Sequence, residues 1–338
     1  MQNRHLPKAF GIAFCLASSP AMAFNALNFD TPGMDETLRS EIKSNSALVA
    51  AQTGERVGGQ DVLAAALSDY GILLETLYAN GYYGGTISIT IDGREASDLP
   101  LLSVPEAVDR VTVTVREGPK FKFGTARIEP LAPETELPEG FARGNTARAG
   151  LVGDAVDAGI SGWRAIGHAK AEVSRQNVSA NHAEKRLNVD LQLAPGPRLT
   201  FGALNVPTDS YVRASAIRRI AGLPTGEVFD PEELDLSTKR LNRTRAFSSV
   251  TLQEAERANP DGSLDIGLSV VDAKPRRFGF GAEISSLEGL TLSTFWLHRN
   301  FFGGAERFRV DAEVTDISSD ADGIDAALTG RLEIPAVI

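Results

Sequence analysis

Val111-Thr112-Val113-Thr114-Val115-Arg116-Glu117-Gly118-Pro119-Lys120, followed by Phe123-Gly124 and Ala126-Arg127-Ile128, decides how this chain is read. Apolar and polar residues alternate at period two up to Val115, as in a half-buried strand. Gly118-Pro119 ends that strand, since proline has no N–H for a ladder. Past the basic Lys120, the alternating Phe123-Gly124 segment starts a new strand. The junction returns twice. Leu187-Asn188-Val189-Asp190-Leu191-Gln192-Leu193 runs into Gly196-Pro197-Arg198, Phe201-Gly202 and Leu204-Asn205-Val206. Leu264-Asp265-Ile266-Gly267-Leu268-Ser269-Val270 runs into Lys274-Pro275-Arg276, Phe278-Gly279 and Ala282-Glu283-Ile284. The central prolines, at 119, 197 and 275, are 78 residues apart each time. Self-similarity at fixed spacing marks repeated structural units, each large enough here for a modest core of its own.

Between junctions the pattern turns helical. Met34–Ala51 and Asp61–Asn80 carry apolar residues at spacings of three and four, and Asn80-Gly81 stops the second helix. Thr86–Ile91 alternates as a strand. In the second unit, Thr146–Asp157 and Ala158–Ile166 are predicted helices, then Lys170–Val178 and Arg186–Leu193 strands. In the third, Tyr211–Ala221 and Pro231–Arg245 are predicted helices, and Asp230-Pro231 supplies an N-cap and a first-turn proline. Strands follow at Ser249–Glu254 and Leu264–Val270. The order strand-helix-helix-strand-strand gives an α+β fold, a small three-stranded sheet with two helices on one face.

This order, with Gly81-Tyr82 closing the second helix and Gly118-Pro119 leaving the last strand, resembles the POTRA (polypeptide-transport-associated) domain. Three such units followed by alternating strands resemble the outer-membrane assembly proteins of Gram-negative bacteria, the BamA/TamA superfamily. Those strands are Arg277–Ile284, Thr291–Leu297 and Arg307–Ala312. Arg299-Asn300-Phe301-Phe302-Gly303-Gly304 is similar to the asparagine-aromatic-glycine turn after the second barrel strand in that family. A count of three units resembles the TamA-type translocation and assembly subunit; BamA-type insertases carry five, two-partner secretion transporters two.

The resemblance implies an arrangement of signal peptide (1–23), POTRA 1 (24–118), POTRA 2 (119–196), POTRA 3 (197–274) and the start of an outer-membrane β-barrel (275–338). The residues after Pro275 suffice for three or four spanning strands, so the barrel would be incomplete within this sequence.

Composition agrees with a folded secreted chain. At 338 residues, 42% hydrophobic and 23% charged, two or three ordinary domains are expected. Arg4 and Lys8, the apolar run Ala9–Leu16 and Ala21-Met22-Ala23 read as a cleaved secretion signal, the mature chain starting at Phe24. Cys15 leaves with it, and Phe14 before it argues against a lipoprotein anchor. No disulfide or thiolate chemistry then remains. No run of about 18 apolar residues occurs, so no spanning helix is expected; barrel strands escape such a test. A formal charge of −10 gives no dense phosphate-neutralising patch, which argues against nucleic acid.

Catalytic constellations are absent from the sequence. His5, His168, His182 and His298 have no metal-ligand spacing. Gly279-Phe280-Gly281 lacks the third glycine and the helix of a dinucleotide site, and no Walker loop or nucleophile elbow occurs. The carboxylates of Asp230–Asp235 suit a helix start, and the sequon Asn177-Val178-Ser179 carries no meaning in a bacterial periplasm. The chain is expected to be no enzyme and to need no cofactor or metal.

A three-stranded sheet leaves an edge whose backbone can accept an added strand. The second strands of the units are the expected client edges: Thr86, Ile87, Ile89 and Ile91; Ala171 and Val173; Val250 and Leu252. The resemblance adds a barrel seam at Phe278, Gly279, Phe280 and Gly281. It also implies a role in receiving unfolded clients (autotransporters among them) in the periplasm and aiding their insertion, with a TamB-like periplasm-spanning partner and outer-membrane lipids. Two other readings remain open at this point: a two-partner-secretion transporter of one dedicated substrate, and a soluble POTRA adaptor.

Overall fold

The computed structural model describes residues 24–52, 58–100, 108–285, 289–317 and 324–335. The signal-peptide reading of residues 1–23 lies outside them. Among the described residues four sheets follow one another along the chain.

In the first, β4 (Val108–Arg116) is central. β1 (Phe24–Asp30) runs parallel to it on one side and β2 (Thr86–Ile91) antiparallel on the other. A two-residue β3 (Arg94–Glu95) pairs outside β2. Val111, Val113 and Val115, the alternating residues of the opening stretch, are fully buried with Ile89 and Ile91 against three helices. Each such side chain contributes about 1.5–3 kcal/mol.

The helix predicted over 34–51 is two: α1 (Glu36–Asn45) and α2 (Ala47–Gln52). The break is at Ser46, whose hydroxyl donates to Asp69 Oδ2 at 2.5 Å, while the N–H groups of Ala47 and Leu48 donate to the same carboxylate at 2.6 and 3.3 Å. A buried carboxylate from α3 (Gly59–Ala79) thus caps α2. By length and composition alone, though without an unbroken apolar run, α3 is long and apolar enough to cross a membrane. Val62, Leu63, Ala66, Leu73 and Leu77 are nevertheless buried in the first core, which accounts for that composition.

The second sheet has the order β5 (Lys122–Glu129), β7 (Arg186–Ala194), β6 (Glu172–Asn181). Here the structure corrects the prediction. The two helices expected over 146–157 and 158–166 are one, α4 (Ala149–Ala165), and no helix occupies 130–148. Pro130, Pro133 and Pro138 deny that segment helical N–H donors. The glycines of α4 do not break it. A Cβ on Gly159 would lie 2.8 Å from Leu193 Cδ1, and one on Gly162 would collide with Thr135, so they permit close approach.

The third sheet repeats the first without the extra strand: β8 (Thr200–Asn205) parallel to β10 (Ser263–Asp272), and β9 (Phe247–Glu254) antiparallel to it. α5 (Ala214–Ala221) and α6 (Pro231–Arg243) pack on the core of Phe201, Leu264 and Ile266. α5 starts three residues later than predicted, because Asp272 holds the Ser210 hydroxyl (2.9 Å) and the Tyr211 N–H (2.7 Å) outside it. Asp230 caps α6 as expected, accepting from Glu232 N at 2.9 Å.

The fourth sheet is an antiparallel meander, β11 (Arg276–Ser285), β12 (Gly289–His298), β13 (Arg307–Ile317) and β14 (Asp325–Glu333), paired in chain order. By compactness the chain forms two units, whose division passes through the second sheet at Ala126, 138/139, 153/154, 177/178 and 189/190.

Candidate functional site

The repeated junction is a joint with the same atoms twice. The Phe121 N–H donates to Gly81 O at 2.8 Å, and the Leu199 N–H to Gly167 O at 2.9 Å. Gly81 and Gly167 have φ of +86° and +101°, and a Cβ on them would strike Thr146 and Val228 respectively. Gly118 and Gly196, before the prolines, both have φ +68°, a left-handed backbone that glycine adopts without penalty. At the second joint Glu254, at the end of β9, receives Arg164 and Lys170, the latter at 3.2 Å.

The expected edges are not equivalent. β6 and β9 each lie at the border of their sheets. β6 is exposed along almost its whole length, with Val173 half-buried. Ala171, assigned to this strand from sequence, precedes it; its N–H closes a turn onto His168 O at 3.1 Å. On β9, Val250 and Leu252 are half-buried against the third core while Ser249, Thr251 and Gln253 are exposed.

β2 is different, because its outer edge is already occupied. Thr90 and Ile91 pair with Glu95 and Arg94. The Ile89 N–H donates to Glu95 Oε1 at 3.1 Å, and the same carboxylate receives Ser88 Oγ (2.7 Å) and the Tyr70 hydroxyl. Burial pushes the Glu95 carboxyl up, but these bonds from Tyr70, Ser88 and Ile89 outweigh it and leave the pKa below the usual range. Burial and then Glu95 raise the Tyr70 pKa. Ile89 and Ile91 are buried, Ile87 half-buried and Thr86 exposed. The signal for this block was Asp92-Gly93, with φ of +49° and +83°, a two-residue hairpin turn directly after β2.

The fourth sheet has two unlike faces. Register places Phe278, Phe280, Ala282 and Ile284 of β11 beside Trp296, Thr294, Leu292 and Leu290 of β12. The same face continues through Phe308, Val310, Ala312 and Val314 to Leu332, Gly330, Leu328 and Ala326. From Phe278 to Ile284 it is apolar but for Thr294, with Arg276 and His298 at its end beside Phe308, and it is open: Phe280 is 86% exposed, Ile284 85% and Leu328 77%. The other face carries Arg277, Glu283, Ser293, Arg309, Asp311, Glu313 and Arg331. An exposed apolar face opposite a polar one, on strands of 9 to 11 residues, is the pattern of transmembrane barrel strands.

Phe278 and Phe280 lie on the apolar face, Gly279 and Gly281 on the polar one. A Cβ on Gly279 would strike the Phe295 ring, and one on Gly281 would lie 2.6 Å from Ser293 Oγ. Toward β12 these glycines make room for a neighbour, and β11 pairs without a register break. Phe295 in turn lies under the Arg309 guanidinium, 4.2 Å from the ring centre.

The turn after β12 is clamped to the third sheet's domain. Asn300 Nδ2 donates to Tyr211 O (2.7 Å), and the Ala305 N–H donates to Asn300 Oδ1 (2.9 Å). The Arg213 N–H donates to Gly303 O (2.9 Å), and Ala305 is buried in the third core. Glu306 accepts from Gly304 N (2.8 Å) and Phe302 N (3.2 Å). Beside the turn, Trp296, His298, Phe301, Phe302 and Phe308 form one ring cluster, with Phe301 and Phe308 centred 4.9 Å apart.

His168 and His182 make structural contacts. His168 Nδ1 lies 2.8 Å from Gly196 O and its ring meets Trp163, while His182 sits edge-on to Phe121. Among the described residues no cluster of three His, Cys, Asp or Glu residues could hold a metal ion.

No family model and no curated protein matches the chain. Solved structures do. Haemophilus influenzae BamA POTRA3–5 is 18% identical, with a TM-score of 0.52 over 74% of this chain and 96% of that one. Haemophilus ducreyi BamA lacking POTRA domains 1–3 is 17% identical, with a TM-score of 0.48 over 58% of this chain and 38% of that one. CdiB from Escherichia coli is 13% identical, with a TM-score of 0.36 over 65% and 40%. The chain therefore spans about two fifths of the length of the latter two structures. With the three-stranded sheets, the repeated joints and the match to the POTRA3–5 structure in hand, the chain is, by fold, a tandem array of POTRA domains followed by a four-stranded antiparallel sheet.

Proposed function

We propose that this chain belongs to the outer-membrane assembly proteins built of POTRA domains and a β-barrel, and that it takes up unfolded client proteins in the periplasm and aids their insertion. The module boundaries are placed at the three prolines: 24–118, 119–196, 197–274 and 275–338. The observation that carries the reading is the fourth sheet, with its open apolar face directly after the last POTRA unit. In water such a face would drive aggregation, whereas in lipid it is satisfied. The work is non-enzymatic strand handling: an extended client adds to a free sheet edge through main-chain hydrogen bonds, with little demand on its sequence. β6 and β9 are the receiving edges, β2 being closed by β3 and Glu95. A TamB-like partner, autotransporter clients and signal-peptide cleavage belong to the same reading.

The test is site-specific photocrosslinking in intact cells. With the probe at Val173 or Thr251, adducts to unfolded outer-membrane proteins are expected, and with the probe at Ser88 far fewer. Absence of client adducts at all three positions would remove the client-handling role. One dominant adduct to a single secreted protein would favour a dedicated transporter instead.

A further inference from the structure

The end of the apolar face nearest the third domain gathers four cations from three separate places in the sequence. The Ala273 N–H donates to Ala246 O at 2.8 Å, which brings Arg245 beside Lys274. The Arg299 N–H donates to Pro275 O at 2.8 Å, and its Nη1 to Lys274 O at 2.7 Å, which brings Arg299 to the same strip. Arg276 is the register partner of His298 and shares the face of Phe278, Phe280 and Trp296. Arg245, Lys274 and Arg276 are exposed. None of these four side chains has a carboxylate partner among the described residues. The nearest carboxylate in sequence, Asp272, is taken up by Ser210 and Tyr211. Burial and then the charges of Arg277, Arg307 and Arg245 lower the Arg299 pKa, as crowding of like charge requires.

We propose that Arg245, Lys274, Arg276 and Arg299, gathered beside the Trp296–Phe301–Phe308 rings at the border of the apolar face, bind the anionic headgroup of a phospholipid. The inference rests on the reading that the fourth sheet lies in a membrane. Its physical basis is a composite that a free anion would not need. Trp296, an amphipathic ring, favours the headgroup level, and girdles of aromatic residues mark the interfaces of membrane barrels. An apolar surface for acyl chains begins at once beyond them, at Phe278 and Phe280. Unpaired cations at that level attract anionic lipid, each by about fivefold in affinity. The clamp between Tyr211, Arg213 and the 299–306 turn fixes the cations from the POTRA side to those on the strands. The bound lipid then spans the joint between the last POTRA unit and the sheet.

The test uses the full chain folded into vesicles of phosphatidylcholine alone or mixed with phosphatidylglycerol. Flotation reports insertion, and native mass spectrometry reports the lipids retained. The wild type is expected to float with both vesicles and to retain phosphatidylglycerol preferentially. R245Q/K274Q/R276Q is expected to float equally but to lose roughly a hundredfold of that preference. R245K/R276K, which keeps the charges, is expected to retain it. Equal retention by the glutamine variant would overturn the proposal, as would displacement of the lipid by inorganic phosphate at concentrations too low to screen charge. Failure to float with either vesicle would overturn the membrane reading itself and the lipid site with it.

Discussion

Gly124 and Gly202 hold the same place after the repeated proline, yet their surroundings differ in a way that sets their tolerance. A Cβ on Gly124 would meet the end of the Asn188 side chain, which can swing away, and Arg186 Cβ at 3.3 Å, but no backbone atom so near. A Cβ on Gly202 would meet the Asp265 carboxylate and also the Asp265 backbone nitrogen at 2.9 Å. Gly202→Ala is therefore expected to destabilise its domain by about 1–3 kcal/mol, and Gly124→Ala by clearly less, in denaturant unfolding. Equal losses would mean that the central strand yields as readily as a side chain. Asp69 offers a second test. Burial raises its pKa from the ordinary 3.8, against the bonds from Ser46, Ala47 and Leu48. A raised folded-state pKa means stability that is full below 3.8 and declines as pH climbs through the folded value. Asp69→Asn should abolish that decline. Asp69→Ala should cost about 2–4 kcal/mol by stranding three donors, read as faster hydrogen exchange at Ala47 and Leu48.

Elements raise a different question, namely what holds a turn or closes an edge. Glu306 is buried, which pushes its pKa up, but the backbone N–H groups that it accepts, with Arg213 beside it, bring it below the ordinary 4.5. Its stabilising contribution is therefore present above 4.5 and lost as pH falls through the lowered folded value. Glu306→Ala should free the N–H groups of Phe302 and Gly304, at a local cost of about 1–3 kcal/mol, with faster exchange confined to residues 299–306. Unchanged protection there would mean that Asn300 and Arg213 hold the turn alone. The alternation of 86–91 was legible as a strand, but the closure of its edge was not, because Glu95 reaches back from beyond the hairpin. In the second unit, where two helices were expected, the prolines at 130, 133 and 138 withhold helical N–H donors, and the close approaches at Gly159 and Gly162 lie within the single unbroken α4.

For the whole molecule, the two faces of the fourth sheet make opposite demands. Phe280→Arg places a charge on the open apolar face, and should cost about 2–4 kcal/mol of insertion into vesicles, measured by folding yield against urea. Thr329→Arg, on the polar face of the same sheet, should insert like the wild type. If both insert normally, that face does not contact lipid and the membrane reading fails. The POTRA array itself is expected to unfold as it does in the parent chain in both variants, since neither residue belongs to its cores.

The repeat at 78 residues, the strand alternation and the glycine-proline exits were readable from the sequence, because each follows from local backbone chemistry. They were enough for the α+β units, their order and the resemblance to POTRA domains. Tertiary structure alone decided which strands are borders, that Glu95 seals one of them, that α2 is capped by Asp69 from another helix, and that cations from three stretches meet beside one aromatic cluster. Those features depend on residues far apart in the chain approaching within a few ångströms, and period and composition carry no record of such distances.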